Sequence, residues 1–175
     1  LRWTREQEFY NTYQRQGVIA ELKVGVMKDG TLTAVEHRLF WDAGAYVEYG
    51  ANVVNAAGLS ATGPYRVPNI TNDSLCMYTN LPPGGPYRGF GYSEFHFGLE
   101  SHMDRIAEAI GMDPVEFRRK NAIVEGDELS YGAHMNPSGL IEAIDKTAAA
   151  IDWGVDEESD NPNTVIGKGM ALFWK

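Results

Sequence analysis

Residues 80–91 carry the most chemically suggestive segment of the sequence, a loop rich in proline and glycine that ends in Pro86-Tyr87-Arg88-Gly89-Phe90-Gly91. Prolines stiffen the chain, and glycines accept backbone angles that let a ligand approach main-chain atoms closely. Arg88 offers a permanent, fork-shaped cation suited to phosphate, carboxylate or an oxo group, and aromatic rings flank it. A helix is predicted immediately afterwards, and its free N–H groups favour an anion. The loop therefore predicts a pocket wall for a flat, anionic ligand.

A simpler interpretation of the same loop is a structural turn in which Arg88 caps nearby carbonyl groups. The loop is not a phosphate-binding P-loop, because the Gly-Lys-Ser/Thr ending is missing. It is not a dinucleotide-binding fingerprint either, since the glycine spacing after a strand is absent.

The remaining polar residues give weaker signals. The four histidines, His37, His96, His102 and His134, lack metal-ligand spacing, so no protein-ligated metal is expected. Glu100, Asp104 and Glu108 are interpreted as a solvated or salt-bridged side of a helix. The single cysteine, Cys76, is expected to be a small buried hydrophobe. One cysteine excludes an internal disulfide or a cysteine-ligated cluster within the chain and agrees with a cytoplasmic location.

The composition is that of an acidic globular chain, with 175 residues and a net charge of −9. Nucleic-acid binding requires concentrated positive charge, which this sequence lacks, and its acidity disfavours an anionic membrane surface. No window of about 20 apolar residues predicts a membrane span.

Strand patterns dominate the first half of the sequence. Residues 21–28 and 31–41 alternate around Asp29-Gly30, which predicts a β-hairpin. A loop and then a short helix over 53–61 are expected next, followed by a strand over 69–80.

Helical patterns follow the loop. A helix is predicted over 94–110, capped by Ser93 and ended by Gly111. A second helix begins at Asp113-Pro114, with Glu116 completing a capping box, and a third opens at Asn136-Pro137. Residues 165–174 return to a strand pattern. The expected fold class is α+β in three parts: a β-rich part (1–91) ending in the loop, a helical segment (92–155), and an acidic connection with the start of a strand (156–175).

Motifs along the chain stand in the order known from one enzyme family. Around Tyr87-Arg88-Gly89-Phe90-Gly91 they comprise residues 4–9, 29–31, 42–46, 63–69 and 79–82 upstream, and Glu100, Met103-Asp104, Gly111, Asp113-Pro114, Glu116, Arg118, Asn121 and 167–169 downstream. The sequence resembles the molybdenum-binding subunit of the xanthine oxidase, aldehyde oxidoreductase and carbon monoxide dehydrogenase family of molybdenum hydroxylases. The resemblance covers nearly the whole chain. Both chain ends resemble mid-domain sequence, so we expect an internal fragment of the molybdopterin-binding domain.

The resemblance implies an oxidoreductase that hydroxylates a heterocycle, aldehyde or aryl-CoA type substrate with oxygen taken from water. The implied cofactor is molybdenum on molybdopterin, usually in the cytosine dinucleotide form in bacteria, with iron–sulfur clusters and FAD on partner domains or subunits. The family's cofactor-facing segment corresponds to Pro86, Tyr87, Arg88, Gly89 and Phe90. Arg88 would contact the oxo side of the cofactor, and Phe90 would wall the substrate position.

Two departures from the family pattern matter. Gly91-Tyr92-Ser93-Glu94 replaces the usual Gly-Pro-Gln stretch, and a carboxylate near an anionic cofactor requires a partner or an outward orientation. Ala56 stands near the place of the substrate-gripping arginine of purine-oxidising members, which disfavours a purine substrate.

The family's general-base glutamate belongs to sequence beyond Lys175, so no catalytic residue is expected in this chain. The isolated fragment is therefore expected to be inactive and to depend on the remainder of its subunit. The competing hypotheses are a non-catalytic structural or assembly homologue and a generic anion-binding module.

Overall fold

The computed structural model of the protein describes residues 1–174. A short helix α1 (Arg5–Asn11) precedes strand β1 (Val18–Val26) and strand β2 (Leu32–Gly44). Helix α2 (Gly50–Leu59) and strand β3 (Ile70–Tyr78) follow. Helices α3 (Tyr92–Ile110), α4 (Pro114–Asn121) and α5 (Leu140–Ala150) complete the order. The predicted α+β class is confirmed.

The three strands form one sheet in the order β1-β2-β3. β1 and β2 pair antiparallel around the predicted Asp29-Gly30 turn, where Gly30 has a φ of 85°. β3 pairs parallel to β2, so the chain must cross over between them, and α2 lies in that crossover. The predicted hairpin, short helix and third strand are therefore confirmed, and the crossover is a feature that the structure adds.

The core lies between one face of the sheet and the helices. β2 alternates, with Val35, His37, Leu39 and Trp41 buried and the intervening Glu36 and Arg38 exposed. α3 presents Phe95, Leu99 and Met103 to the same core. This period-two strand facing a helical stripe fixes α3, and with it the preceding loop, against the sheet.

The ends of α3 and α4 differ in part from expectation. Gly111 ends α3 in the left-handed conformation as predicted. Ser93 is not the cap, because the helix begins at Tyr92 and Gly91 is the N-cap residue. The side chain of Asp113 accepts from the N–H groups of Val115 and Glu116 as predicted. Glu116 does not complete a capping box, because its carboxylate pairs with Arg119 instead.

Two further predictions about helices and strands are wrong. The third helix begins at Leu140 and not at Asn136-Pro137. Residues 165–174 do not pair with the sheet, and the backbone N–H of Leu172 donates instead to the buried carboxylate of Glu100 at 2.9 Å. Lys175, the last residue of the predicted third part, lies outside the described residues. Among the described helices, none is both long and apolar enough to cross a membrane.

Candidate functional site

The loop before α3 is anchored at its start by the edge of the sheet and the segment before β1. The N–H of Gly84 donates to the Ala43 carbonyl at 3.0 Å, and the N–H of Gly85 donates to the Gln14 carbonyl at 3.0 Å. A Cβ atom on Gly84 would lie 2.9 Å from the Asp42 carbonyl oxygen, so a larger residue would push the loop off the sheet. The position of residues 84–85 is therefore set by backbone contacts.

A tight turn carries the five predicted cofactor-facing residues. The N–H of Phe90 donates to the Tyr87 carbonyl at 2.8 Å, and the N–H of Tyr92 donates to the Gly89 carbonyl at 3.0 Å. Gly89 and Gly91 have φ of 100° and 88°, and Phe90 itself has a φ of 47°. A positive φ at a residue other than glycine, as at Phe90, costs free energy that the surrounding contacts must offset. Phe90 is half-buried, whereas Pro86, Tyr87 and Arg88 are exposed.

Arg15, which the sequence did not single out, holds this turn from outside. Its Nη2 donates to the Arg88 carbonyl oxygen at 2.6 Å, and its guanidinium lies 4.8 Å from the centre of the Tyr87 ring. Its Nη1 lies 3.1 Å from Glu94 Oε2, which makes an ion pair by distance but not an aligned hydrogen bond. The Glu94 carboxylate, which departs from the family pattern, is therefore paired with the Arg15 guanidinium. Such a partner was expected for a carboxylate close to an anionic cofactor.

The side chain of Arg88 does not cap carbonyl groups as the simpler interpretation supposed. Within residues 1–174 it makes no hydrogen bond or salt bridge, and the N–H groups of Arg88 and Gly89 donate to no protein acceptor. An exposed guanidinium and free N–H groups in the turn that precedes a 19-residue helix fit an anionic group.

A buried polar network supports α3 behind the loop. Glu100 accepts from Tyr65 Oη at 2.6 Å and from Arg118 Nε at 2.9 Å, and Arg118 also donates to Asp104 Oδ1 at 2.6 Å. The predicted solvated or salt-bridged helix side is confirmed, with Glu100 and Asp104 paired to Arg118 and Glu108 exposed, although Glu100 is buried and not on the solvated side. Burial, together with the charge of Glu100, raises the pKa of Tyr65 well above its usual value, so the phenol stays protonated and donates.

His96 and His102 both lie on α3 and are at least partly buried. Burial lowers the pKa of His96, although the Tyr92 carbonyl partly counteracts this, and burial lowers the pKa of His102 as well. Cys76 is half-buried, and burial raises the pKa of its thiol. Within residues 1–174, no three His, Cys, Asp or Glu side chains converge in a way that could hold a metal ion. A groove of about 1030 Å³ runs along the hairpin beside His102 and Ile106 and does not include the loop.

Comparison with known proteins identifies the domain to which this loop belongs. The family model of the molybdopterin cofactor-binding domain matches residues 1–122, from α1 to the end of α4. The chain belongs to the molybdopterin cofactor-binding domain family. In this domain the matched range contains the whole sheet, the loop, and Arg15, Arg88 and Glu94.

Three relatives show the extent of the similarity. The domain is 39% identical over 144 residues to the nicotinate dehydrogenase large molybdopterin subunit of Eubacterium barkeri, covering 82% of this chain and 34% of that one. It is 33% identical to the xanthine dehydrogenase molybdenum-binding subunit of Escherichia coli O157:H7, covering 97% of this chain and 23% of that one. The solved aldehyde oxidoreductase of Desulfovibrio gigas superimposes with a TM-score of 0.80 at 32% identity, covering 86% of this chain and 17% of that one. The chain therefore spans about a third or less of the length of these relatives.

Proposed function

We propose that this domain is part of the catalytic subunit of a molybdenum hydroxylase, an oxidoreductase that oxidises a heterocycle, aldehyde or aryl-CoA type substrate with water as oxygen source. Membership of the molybdopterin cofactor-binding domain family supports the proposal, as do relatives named as nicotinate and xanthine dehydrogenase subunits. The observation that carries it is that, within residues 1–174, neither the Arg88 guanidinium nor the N–H groups of Arg88 and Gly89, just before α3, have a hydrogen-bond partner.

Each of the five predicted cofactor-facing residues has a role in this proposal. Arg88 and the free N–H groups bind the anionic side of the cofactor, because both offer hydrogen bonds to negative oxygen atoms. Phe90 forms part of the wall against which a planar substrate stacks, and Pro86, Tyr87 and Gly89 shape the turn. When bound, molybdopterin supplies the molybdenum at which the substrate is oxidised and water provides oxygen. The general base lies outside this chain.

The finer parts of the proposal concern partners and cofactor form. We propose the cytosine dinucleotide form of molybdopterin, with electrons passing to iron–sulfur clusters and FAD on partner domains or subunits. The remainder of the same subunit would complete the site. A cytoplasmic location agrees with the single cysteine.

Substitution of Arg88 in the full-length parent subunit tests the proposal. We expect Arg88→Met to lower molybdenum content or turnover per molybdenum by about 10- to 1000-fold, because a charge-assisted contact to a buried anion is lost. Arg105→Met, on the exposed side of α3, is the matched control and should leave both unchanged. Molybdenum is measured by elemental analysis, and turnover is measured with nicotinate, an aldehyde and an aryl-CoA thioester.

Two results would contradict the proposal. Unchanged molybdenum content and unchanged turnover in Arg88→Met would remove Arg88 from the site. A parent protein that holds molybdenum but oxidises no substrate of the three classes would favour the non-catalytic structural or assembly homologue.

A further inference from the structure

Within residues 1–174, the polar and cation–π contacts of the Arg15 guanidinium are all with the loop or with the first turn of α3. Its guanidinium reaches the Arg88 carbonyl at 2.6 Å, the Glu94 carboxylate at 3.1 Å and the Tyr87 ring at 4.8 Å. Arg15 lies just before β1, some 70 residues earlier in the chain. A contact at that sequence distance fixes the loop relative to the sheet and not merely relative to its own helix.

The contact with the Arg88 carbonyl also sets the direction of a neighbouring donor. The Arg88 carbonyl and the Gly89 N–H belong to one peptide group, which is planar and trans, so the two bonds point in opposite directions. Because Arg15 holds the carbonyl on one side, the Gly89 N–H is directed to the other side. Within residues 1–174 that N–H donates to no acceptor, so it is available to a ligand. A cation on the carbonyl oxygen also strengthens the N–H as a donor.

The other two contacts hold the guanidinium itself in place. The Glu94 side chain is only 6% exposed, so its carboxylate depends on Arg15 for compensation. The ring of Tyr87 covers one side of the guanidinium, which further restricts its rotation. Lysine at this position would keep the charge but could not hold the carbonyl, the carboxylate and the ring together.

We propose that Arg15 is a positioning residue that aims the Gly89 N–H at the anionic ligand of the loop, with Glu94 and Tyr87 orienting its guanidinium. This inference rests on the proposed function, because it assumes that the loop binds the cofactor. The Glu94 carboxylate faces Arg15, so Glu94 affects the cofactor site only by orienting the Arg15 guanidinium.

The test uses the full-length parent subunit and compares Arg15→Met, Arg15→Lys, Arg15→Met/Glu94→Gln and the control Arg105→Met. Hydrogen exchange of the Phe90 and Tyr92 amides, both hydrogen-bonded within the turn, reports loop order without reference to activity. Arg15→Met is expected to speed this exchange about tenfold or more and to lower kcat per molybdenum about tenfold, with KM changed less. Arg15→Lys should fall between Arg15→Met and the parent.

The double variant separates positioning from charge compensation. Glu94→Gln removes the uncompensated carboxylate, so the double variant should recover the Tm lost in Arg15→Met but neither the slow exchange nor kcat. Recovery of all three quantities would overturn the inference, since Arg15 would then only neutralise Glu94. Parent-like exchange and kcat in Arg15→Met, alongside an impaired Arg88→Met, would overturn it as well. If Arg88→Met is also unimpaired, the proposed function itself fails.

Discussion

His37 is a titratable side chain that lies buried in the core. It lies in the centre of β2 with 1% of its surface exposed, and within residues 1–174 neither ring nitrogen makes a well-aligned hydrogen bond, although the nearby Ala61 backbone opposes part of the pKa shift. Burial, with a contribution from nearby His102, lowers its pKa to about 4. The unfolded chain, by contrast, takes up a proton near the ordinary value of 6.5.

This difference predicts a pH-dependent stability. A lowered folded pKa gives stability that is present above pH 6.5 and is lost as the pH falls toward 4, because only the unfolded state binds the proton. His37→Leu should therefore reduce the pH dependence of the unfolding free energy between pH 6.5 and 5 by about 1 kcal/mol per pH unit. Urea unfolding at several pH values measures it, with His134→Leu, at an exposed site, as control. An unchanged slope in His37→Leu would contradict the assignment.

Residue types alone predict which positions form the candidate loop. They do not predict that the Arg15 side chain fixes the position of that loop. Arg88 and Phe90 stand in a motif that carries its own signal, whereas Arg15 stands in an irregular segment without a motif. The burial of Glu100 depends on Arg118, which lies 18 residues later, and on Tyr65, which lies 35 residues earlier. Such partnerships arise from the packing of distant segments, and no local pattern encodes them.

The junction between the loop and α3 is the point where three elements meet. Gly91, the N-cap residue, has a φ of 88°, and a Cβ atom there would lie 2.5 Å from the Val53 carbonyl oxygen of α2 and 3.3 Å from the Ala57 Cβ. The close approach of α2 to the start of α3 therefore requires glycine. Gly98, two turns into the same helix, has no atom within 4 Å of its would-be Cβ.

Substitution by alanine is expected to change the free energy of unfolding in opposite directions at these two glycines. Gly91→Ala should lower the free energy of unfolding by about 2–4 kcal/mol, since the strained φ and the backbone clash add together. Gly98→Ala should raise it by up to about 1 kcal/mol, because alanine favours helix and meets nothing. Denaturant unfolding of both variants measures the effect. Equal effects would show that α2 does not constrain the junction.

The elements that the sequence predicted correctly are those with their own local signal. Asp29-Gly30 marks the hairpin, and Gly111 and Asp113-Pro114 mark helix ends. The short helix α1 was not predicted, although Thr4 and Gln7 form a capping box there. At the opposite end, Met170 and Leu172 are buried in alternation like a strand, but the Leu172 N–H bonds to a side chain instead of a neighbouring strand. Alternation reports burial of one face, and it cannot report whether a partner strand exists.

The end of the loop lies on the exposed surface of the domain. Tyr87 is 59% exposed, and Arg88 is exposed beside it. Four further aromatic rings, those of Phe9, Tyr10, Tyr46 and Tyr49, are each more than half exposed. The chain covers 34% of the nicotinate dehydrogenase subunit and 17% of the aldehyde oxidoreductase chain, so most of the relatives' length is contributed by other residues. In our proposal those residues close the site.

This openness predicts that the 175-residue chain by itself does not retain the cofactor. A ligand held from one side keeps much of its contact with water, whereas cofactor sites bury most of the ligand's surface. Elemental analysis of the purified chain, produced in cells that make molybdopterin, should find far less than one molybdenum per chain. The full-length parent, purified in the same way, is the control and should carry close to one. Stoichiometric molybdenum in the isolated chain would mean that residues 1–175 hold the cofactor without the rest of the subunit, and the division of the site between this loop and residues outside the chain would then be wrong.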